Sequence, residues 1–243
     1  VFGTGSNPPA ASMANFEQIV IANDADATFT AAQVTGLTLA LNTVSGTAAS
    51  IVTIAGTSGD DAIDLSGIAV TAGSYTAVTG ETVNGTAFNS GDDSIVINAG
   101  DGADTITLES TIDENLTYAL GDSEDTSMDT VLNWTVAKDI LNLPGTPSIA
   151  GTANDAVGAT AGSIKYMEIA ADGLITFEDN ANSEGNAVTV STTALLAEAI
   201  SELITDFGST TLSMVFATTS HLGDSYVFTG SGAASTDDLL IKL

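Results

Sequence analysis

Two neighbouring stretches decide the fold: Phe88-Asn89-Ser90-Gly91-Asp92-Asp93-Ser94-Ile95-Val96 and, after Ile97 and Asn98, Ala99-Gly100-Asp101-Gly102-Ala103-Asp104-Thr105-Ile106-Thr107. An earlier stretch, Gly56-Thr57-Ser58-Gly59-Asp60-Asp61-Ala62-Ile63-Asp64, aligns with both. In all three, Gly stands fourth, Asp sixth and Ile eighth. This is the nonapeptide G-G-x-G-x-D-x-U-x, with U a large apolar residue, whose copies bury an apolar face by stacking on one another.

Each position has a physical task. Gly and Asn reach left-handed backbone conformations at little cost, so the chain reverses within a few residues and turns its carbonyls inward. The sixth-position Asp brings a carboxylate to the same turn, and the eighth-position Ile starts a very short strand and faces the interior. Carboxylates and carbonyls are hard donors, and stacked turns that each supply half a coordination shell suit calcium. On this reading Asp61, Asp93 and Asp104 are the side-chain ligands. Asp60, Asp92 and Asp101, with backbone groups around Gly59, Gly91 and Gly102, complete the shell or add charge outside it. The copies are degenerate. Phe88 and Ala99 replace the first Gly in two of them, and the sixth-position Asp residues lie 32 and 11 apart rather than nine. The array therefore carries inserted residues, and the number of ions stays open; solvated Asp-Gly turns without an ion are the plain alternative.

Composition points the same way. The 243 residues include 31 Asp+Glu against 3 Lys+Arg, one His and no Cys, a net charge of −28. Of the acids, 21 are Asp. Lys138, Lys165 and Lys242 cannot build a phosphate-binding surface, so nucleic acid is not an expected partner, nor is an anionic membrane face. Without Cys there is no disulfide, thiolate metal site or Cys nucleophile. Acidity of this order goes with disorder when apolar content is low. Here 44% of residues are hydrophobic and mean hydropathy is +0.29, enough to bury a core. A foldable chain with this much like charge repels itself, and a cation from solution is the neutraliser the composition lacks. No apolar run reaches the 18 residues a spanning helix needs, so no transmembrane segment is expected. Val1 to Ala14 has neither a basic nor an apolar signal region, so no cleavable signal peptide is expected there.

Short runs rich in β-branched residues, bounded by Gly, Asn or Asp, predict many short strands. They fall at 16–22, 37–42, 50–55, 94–98, 104–108, 129–136, 140–143, 163–170, 174–178, 187–191, 211–217, 225–229 and 238–243. One helix is predicted over Thr193 to Phe207, with Leu196, Ala199, Ile200, Leu203 and Phe207 on one face at spacings of three and four. Residues 191–193 offer its N-cap and Gly208 its stop. Pro144-Gly145-Thr146-Pro147 is the best boundary. The expected fold is all-β: a parallel β-roll or β-solenoid with calcium-binding turns, then a mostly β C-terminal domain carrying one α-helix. Leading rungs occupy 1–55, the repeats and a closing segment 56–143, and the β-rich domain with the helix 144–243.

With these residues in view, the chain resembles the RTX (repeats-in-toxin) group of calcium-binding proteins exported by bacterial type I secretion. Asp129-Thr130-Val131-Leu132-Asn133-Trp134 and Lys138-Asp139-Ile140-Leu141-Asn142-Leu143 look like the segment that closes such arrays. Gly173-Leu174-Ile175-Thr176-Phe177, the helix, Asp224-Ser225-Tyr226-Val227-Phe228 and Asp237-Asp238-Leu239-Leu240-Ile241-Lys242-Leu243 look like the C-terminal region of large RTX surface proteins, which carries an uncleaved secretion signal. The leading part resembles the solenoid rungs of RTX surface-layer proteins. The resemblance implies a secreted, cell-surface or extracellular protein that meets the type I secretion apparatus and self-associates.

No catalytic constellation is present in the sequence. One His rules out H-E-x-x-H, no G-x-S-x-G occurs, and His221 reads as a loop residue. Trp134 reads as a core or cap residue. The chain is expected not to be an enzyme. Three functions compete: a surface-layer, sheath or filament subunit that folds and assembles on calcium; the end of an RTX adhesin; and the non-catalytic tail of an RTX hydrolase.

Overall fold

The computed structural model describes residues 18–22, 25–44, 50–70, 73–76, 82–87, 94–136, 138–144, 146–147, 154–156, 163–169, 174–179, 187–207, 212–217, 224–230 and 238–243. These are mostly β, in sheets with many parallel pairs, with two helices among the described residues. The chain divides into two units, 1–118 with 131–142 and 119–130 with 143–243.

In chain order the first unit holds β1 (Gln18–Ile21), β2 (Asp26–Thr30), α1 (Ala31–Val34), β3 (Leu39–Val44), β4 (Ile51–Ala55), β5 (Ala62–Asp64), β6 (Ile68–Val70), β7 (Gly73–Thr76), β8 (Thr82–Ala87), β9 (Ser94–Asn98), β10 (Thr105–Thr107) and β11 (Glu114–Thr117). The second half of β12 (Asp129–Leu132) and β13 (Ile140–Asn142) complete it. One sheet runs β2-β4-β9-β11-β13 with every neighbouring pair parallel. Side chains alternate across a strand, so in-phase pairing lines them into columns. Phe29, Ile54, Ile97 and Leu116 form one, none more than 1% exposed. The next runs Ala27, Val52, Ile95 and then Glu114, an acid in an aliphatic column.

Between these strands the chain visits a second parallel set. β5 follows β4, β10 follows β9, and β5 pairs with β10, placing buried Ile63 beside buried Ile106. Leu108 N–H donates to the Leu132 carbonyl at 3.0 Å. A third group centres on β3, parallel to β1 and β6 and antiparallel to β8, which pairs with β7. The short α1 starts where Thr30 N–H donates to Gln33 Oε1 at 2.7 Å; at four residues it is too short to leave a 3.6-residue pattern in the sequence.

The second unit contains the first half of β12, then β14 (Thr146–Pro147), β15 (Asn154–Ala156), β16 (Tyr166–Ile169), β17 (Ile175–Glu178), α2 (Thr193–Phe207), β18 (Leu212–Ala217), β19 (Ser225–Thr229) and β20 (Leu239–Lys242). Antiparallel β15-β16-β17 and antiparallel β18-β19-β20 are its main ladders, and Asp129 and Thr130 pair in parallel with Ile241 and Lys242. Buried Ser123 ties 119–130 to β20: its Oγ donates to the Leu240 carbonyl and accepts from Asp129 N–H at 2.7 Å, and its carbonyl accepts Leu240 N–H at 2.8 Å. α2 has the bounds its periodicity requires and caps on Thr192, whose Oγ1 accepts Leu195 N–H at 3.2 Å. Ala199, Ile200 and Leu203 join Ile164, Met167, Phe177, Tyr226 and Phe228 in one core.

Several expected strands come out differently. The strand expected over 129–136 stops at Leu132, because Asn133 takes φ +65 and turns the chain. The one expected over 187–191 is a single bridge between Ala187 and Glu178. β5 is the very short strand expected at the eighth-position Ile63, whereas β2 and β11 lie outside the expected strands; each is short, and Asp, Ala, Asn or Glu dilutes its apolar signal.

Candidate functional site

The first and third repeats, 43 residues apart, stack directly. β5 and β10 lie in register, and the turns before them follow suit. Gly56 N–H donates to the Asn98 carbonyl at 2.8 Å and Thr105 N–H to the Asp61 carbonyl at 2.9 Å. The glycines permit this closeness. A Cβ on Gly56 would sit 1.8 Å from the Ala99 carbonyl oxygen, and one on Gly100 1.9 Å from that of Thr57. Gly100 and Gly102 take φ of +90 and +116, where side chains other than Gly's are strained. Gly59, by contrast, faces open space.

The predicted ligands Asp60, Asp61 and Asp104 meet at this stack, where their carboxylates accept backbone N–H groups. Asp104, 1% exposed, takes Asp61 N–H on Oδ1 at 2.7 Å. Asp61 takes Thr57 N–H at 2.6 Å and the Thr57 hydroxyl at 2.9 Å, both on Oδ2. Asp60 Oδ1 takes Ala103 N–H at 3.0 Å. Asp101 is exposed. Gly91, Asp92 and Asp93 lie outside the described residues, as does His221; Trp134 is half-buried.

The donors fit a hard cation in kind, being carboxylates and Gly-turn carbonyls. In arrangement, among the described residues no three acids or histidines lie together so as to hold a metal. One oxygen of each of Asp60, Asp61 and Asp104 is engaged with the backbone.

A second turn of the same construction lies where β11 meets β13, and the sequence reading missed it. Asp139 precedes β13 as Asp61 precedes β5, and it takes Thr135 N–H on Oδ2 at 2.6 Å. Its Oδ1 accepts Glu114 N–H at 3.3 Å, as Asp104 accepts that of Asp61. The shared signal is Thr-x-x-x-Asp immediately before a strand, at Thr57 to Asp61 and Thr135 to Asp139. Glu114 is fully buried. Its Oε1 accepts Glu109 N–H at 3.0 Å, and its Oε2 has no hydrogen-bond partner. Burial, then the neighbouring Asp139 and Glu109 carboxylates, push its pKa up from 4.5 to about 9, against the Glu109 N–H bond. Glu109 itself is engaged: its Oε2 accepts Thr111 N–H at 2.5 Å, the Thr111 hydroxyl at 2.6 Å and Ile112 N–H at 3.0 Å.

In the second unit Lys242 Nζ lies 2.9 Å from Asp224 Oδ2, and burial raises the pKa of Tyr226 beside them. Among the described residues no helix is long and apolar enough to cross a membrane. No family model, curated protein or solved structure matches the chain.

Proposed function

We propose that this is a calcium-binding structural protein of the bacterial surface or extracellular space, a subunit of a surface layer, sheath or filament, whose first unit is a β-solenoid with RTX-like turns. The observation that supports it is the stack of two repeat turns across 43 residues, with Asp60, Asp61 and Asp104 hydrogen-bonded into it, in a chain of net charge −28. The function is shape and assembly, built on parallel strands whose side chains line up in columns. No catalytic residue is assigned.

Calcium would be held at the stack by Asp60, Asp61, Asp101 and Asp104 with turn carbonyls, and by Asp92 and Asp93 at the second repeat. In cytosol poor in calcium the acidic turns repel, and the chain stays competent for type I export. Outside the cell, calcium reaches the affinity range of extracellular sites, about 10⁻⁴–10⁻³ M, and binding adds to stability by mass action. Circular dichroism in chelator and in millimolar calcium tests this. The expected result is a gain of β signal with calcium, with Asp104→Ala raising the calcium required and Asp179→Ala, outside the repeats, leaving it unchanged. Identical folded spectra in both conditions would overturn calcium-dependent folding. Electron microscopy with and without calcium separates a regular lattice or filament from a monomeric adhesin module.

A further inference from the structure

We propose that Glu114 and Asp139, at the start of β11 and just before β13, form a buried carboxyl pair that holds one proton at neutral pH and makes the folding of the first unit tighten in acid and loosen in alkali. The site is built from the register. Ile140 pairs with Asn115, so Asp139 stands beside Glu114. On the other side Glu114 pairs with Ile95, in the column of Val52 and Ala27. The Glu114 side chain is thus fully buried among aliphatic neighbours on one flank, with a carboxylate on the other.

Two ionised carboxylates in this position would repel each other without a counter-charge. One oxygen of Glu114 is satisfied by Glu109 N–H, and the other has no donor directed at it. A proton on Oε2 removes both difficulties: it neutralises the buried group and turns an acceptor without a partner into a donor on the side of Asp139, whose Oδ1 already accepts the Glu114 N–H at 3.3 Å.

The other ionisable groups around the pair do not supply the missing positive charge. Glu109 adds a second negative charge from the loop before β11. Asp113 is exposed. Lys138, the cation in the turn before β13, is half-buried with its Nζ on the Ser110 carbonyl at 3.1 Å. On the β9 side, Ser94 and Ile95 carry no charge. A metal is the less favoured neutraliser, since Glu109, Glu114 and Asp139 do not form a metal-holding group. This inference does not rest on calcium at the repeats.

The test is urea unfolding of the full chain and of Glu114→Gln between pH 5 and pH 9, in chelator and in calcium, with infrared spectroscopy of the folded wild type at pH 7. Gln keeps the shape and an N–H donor but cannot ionise. The expected result is a wild-type unfolding constant that rises, relative to the variant, by about tenfold per pH unit across this range. A protonated-carboxyl band should be present in wild type and absent from Glu114→Gln. Parallel pH profiles of the two proteins, or no such band in folded wild type, would overturn the proposal. So would a band that calcium abolishes with release of a proton, because a cation would then be the resident of the pair. If Glu114→Gln does not fold, the wild-type band and its response to calcium decide alone.

Discussion

The turn joining Asp61 to Asp104 and the turn joining Glu114 to Asp139 use the same two kinds of hydrogen bond, shared out differently: in the first the Thr-bonded Asp61 donates its N–H to Asp104, and in the second the Thr-bonded Asp139 is itself the acceptor. In each, an Asp on one strand accepts the backbone N–H of its neighbour across the parallel ladder, at 2.7 Å in the first and 3.3 Å in the second. In each, a Thr four residues before an Asp donates its N–H to that Asp at 2.6 Å. The neighbour is half-buried Asp61 in one turn and fully buried Glu114 in the other. Asp61 sits outside the apolar column, and Thr57 satisfies its Oδ2 twice. Glu114 is one bond longer and lies within the column, and its second oxygen has no donor. The same backbone bonding therefore serves a half-buried acid at the surface and an acid sealed from solvent. Burial, not the motif, decides which proton or ion a turn can hold.

The largest expected effect breaks the first turn and leaves the second intact. Gly100→Ala must bear both φ +90 and a Cβ 1.9 Å from the Thr57 carbonyl oxygen. Strain of that kind costs about 1–3 kcal/mol from the dihedral alone, and the clash adds to it. Urea unfolding should show a loss of roughly 3 kcal/mol or more. Gly59→Ala, at a repeat glycine in open space, should stay within about 0.5 kcal/mol of wild type.

The contrast between those two glycines shows how far the sequence carries. The repeat pattern makes the stacking of residues 56–64 on 99–107 legible, and α2 can be read from its apolar spacing to the residue. What the pattern does not say is which glycine bears the close approach. It treats the fourth-position Gly59 and Gly102 alike, yet Gly59 faces open space while Gly102, like Gly56 and Gly100, bears a close approach, because closeness depends on the register between turns 43 residues apart. Glu114 was illegible for a similar reason. Its neighbours Asp113 and Asn115 are polar, and only pairing with Ile95 places it in an aliphatic column. The Asp139 turn was visible as Thr-x-x-x-Asp, but it lacks the Gly that marks the repeats.

The next effect comes from pH and singles out the second turn. A carboxyl whose folded pKa is about 9 against an ordinary 4.5 keeps its proton in the folded chain after the unfolded chain has lost it. Its contribution is therefore fully present below about pH 4.5 and is lost as pH rises towards 9, at about 1.4 kcal/mol per pH unit. Glu114→Gln should flatten this slope while Asp61→Asn leaves it in place, as read from urea midpoints across the same pH range.

Removing the acceptors gives a middle-sized and more even effect. Asp104→Ala strips the partner from Asp61 N–H, and Asp139→Ala strips partners from both Glu114 N–H and Thr135 N–H. An unsatisfied buried donor costs about 1–3 kcal/mol. In chelator both variants should lose stability on this scale. In calcium Asp104→Ala should lose more than it does in chelator if Asp104 is a ligand, and Asp139→Ala should not, as read by urea unfolding with the ion added.

The smallest effect sharpens the comparison most finely. The Thr57 hydroxyl donates to the Asp61 carboxylate at 2.9 Å, whereas the Thr135 hydroxyl reaches only the Asn133 carbonyl at 3.3 Å on an exposed surface. Thr57→Val removes a charge-assisted bond but keeps the backbone N–H and the β-branched shape, at a cost of about 1 kcal/mol. Thr135→Val should fall within about 0.5 kcal/mol of wild type. If the two cost the same, the hydroxyl plays no part in holding Asp61 towards its turn, and the backbone N–H at 2.6 Å is the whole of the device in both places. If Thr57→Val also lowers the calcium needed for folding, that hydroxyl competes with the ion for Asp61, because each bond to Oδ2 withdraws charge from the oxygens a cation would use.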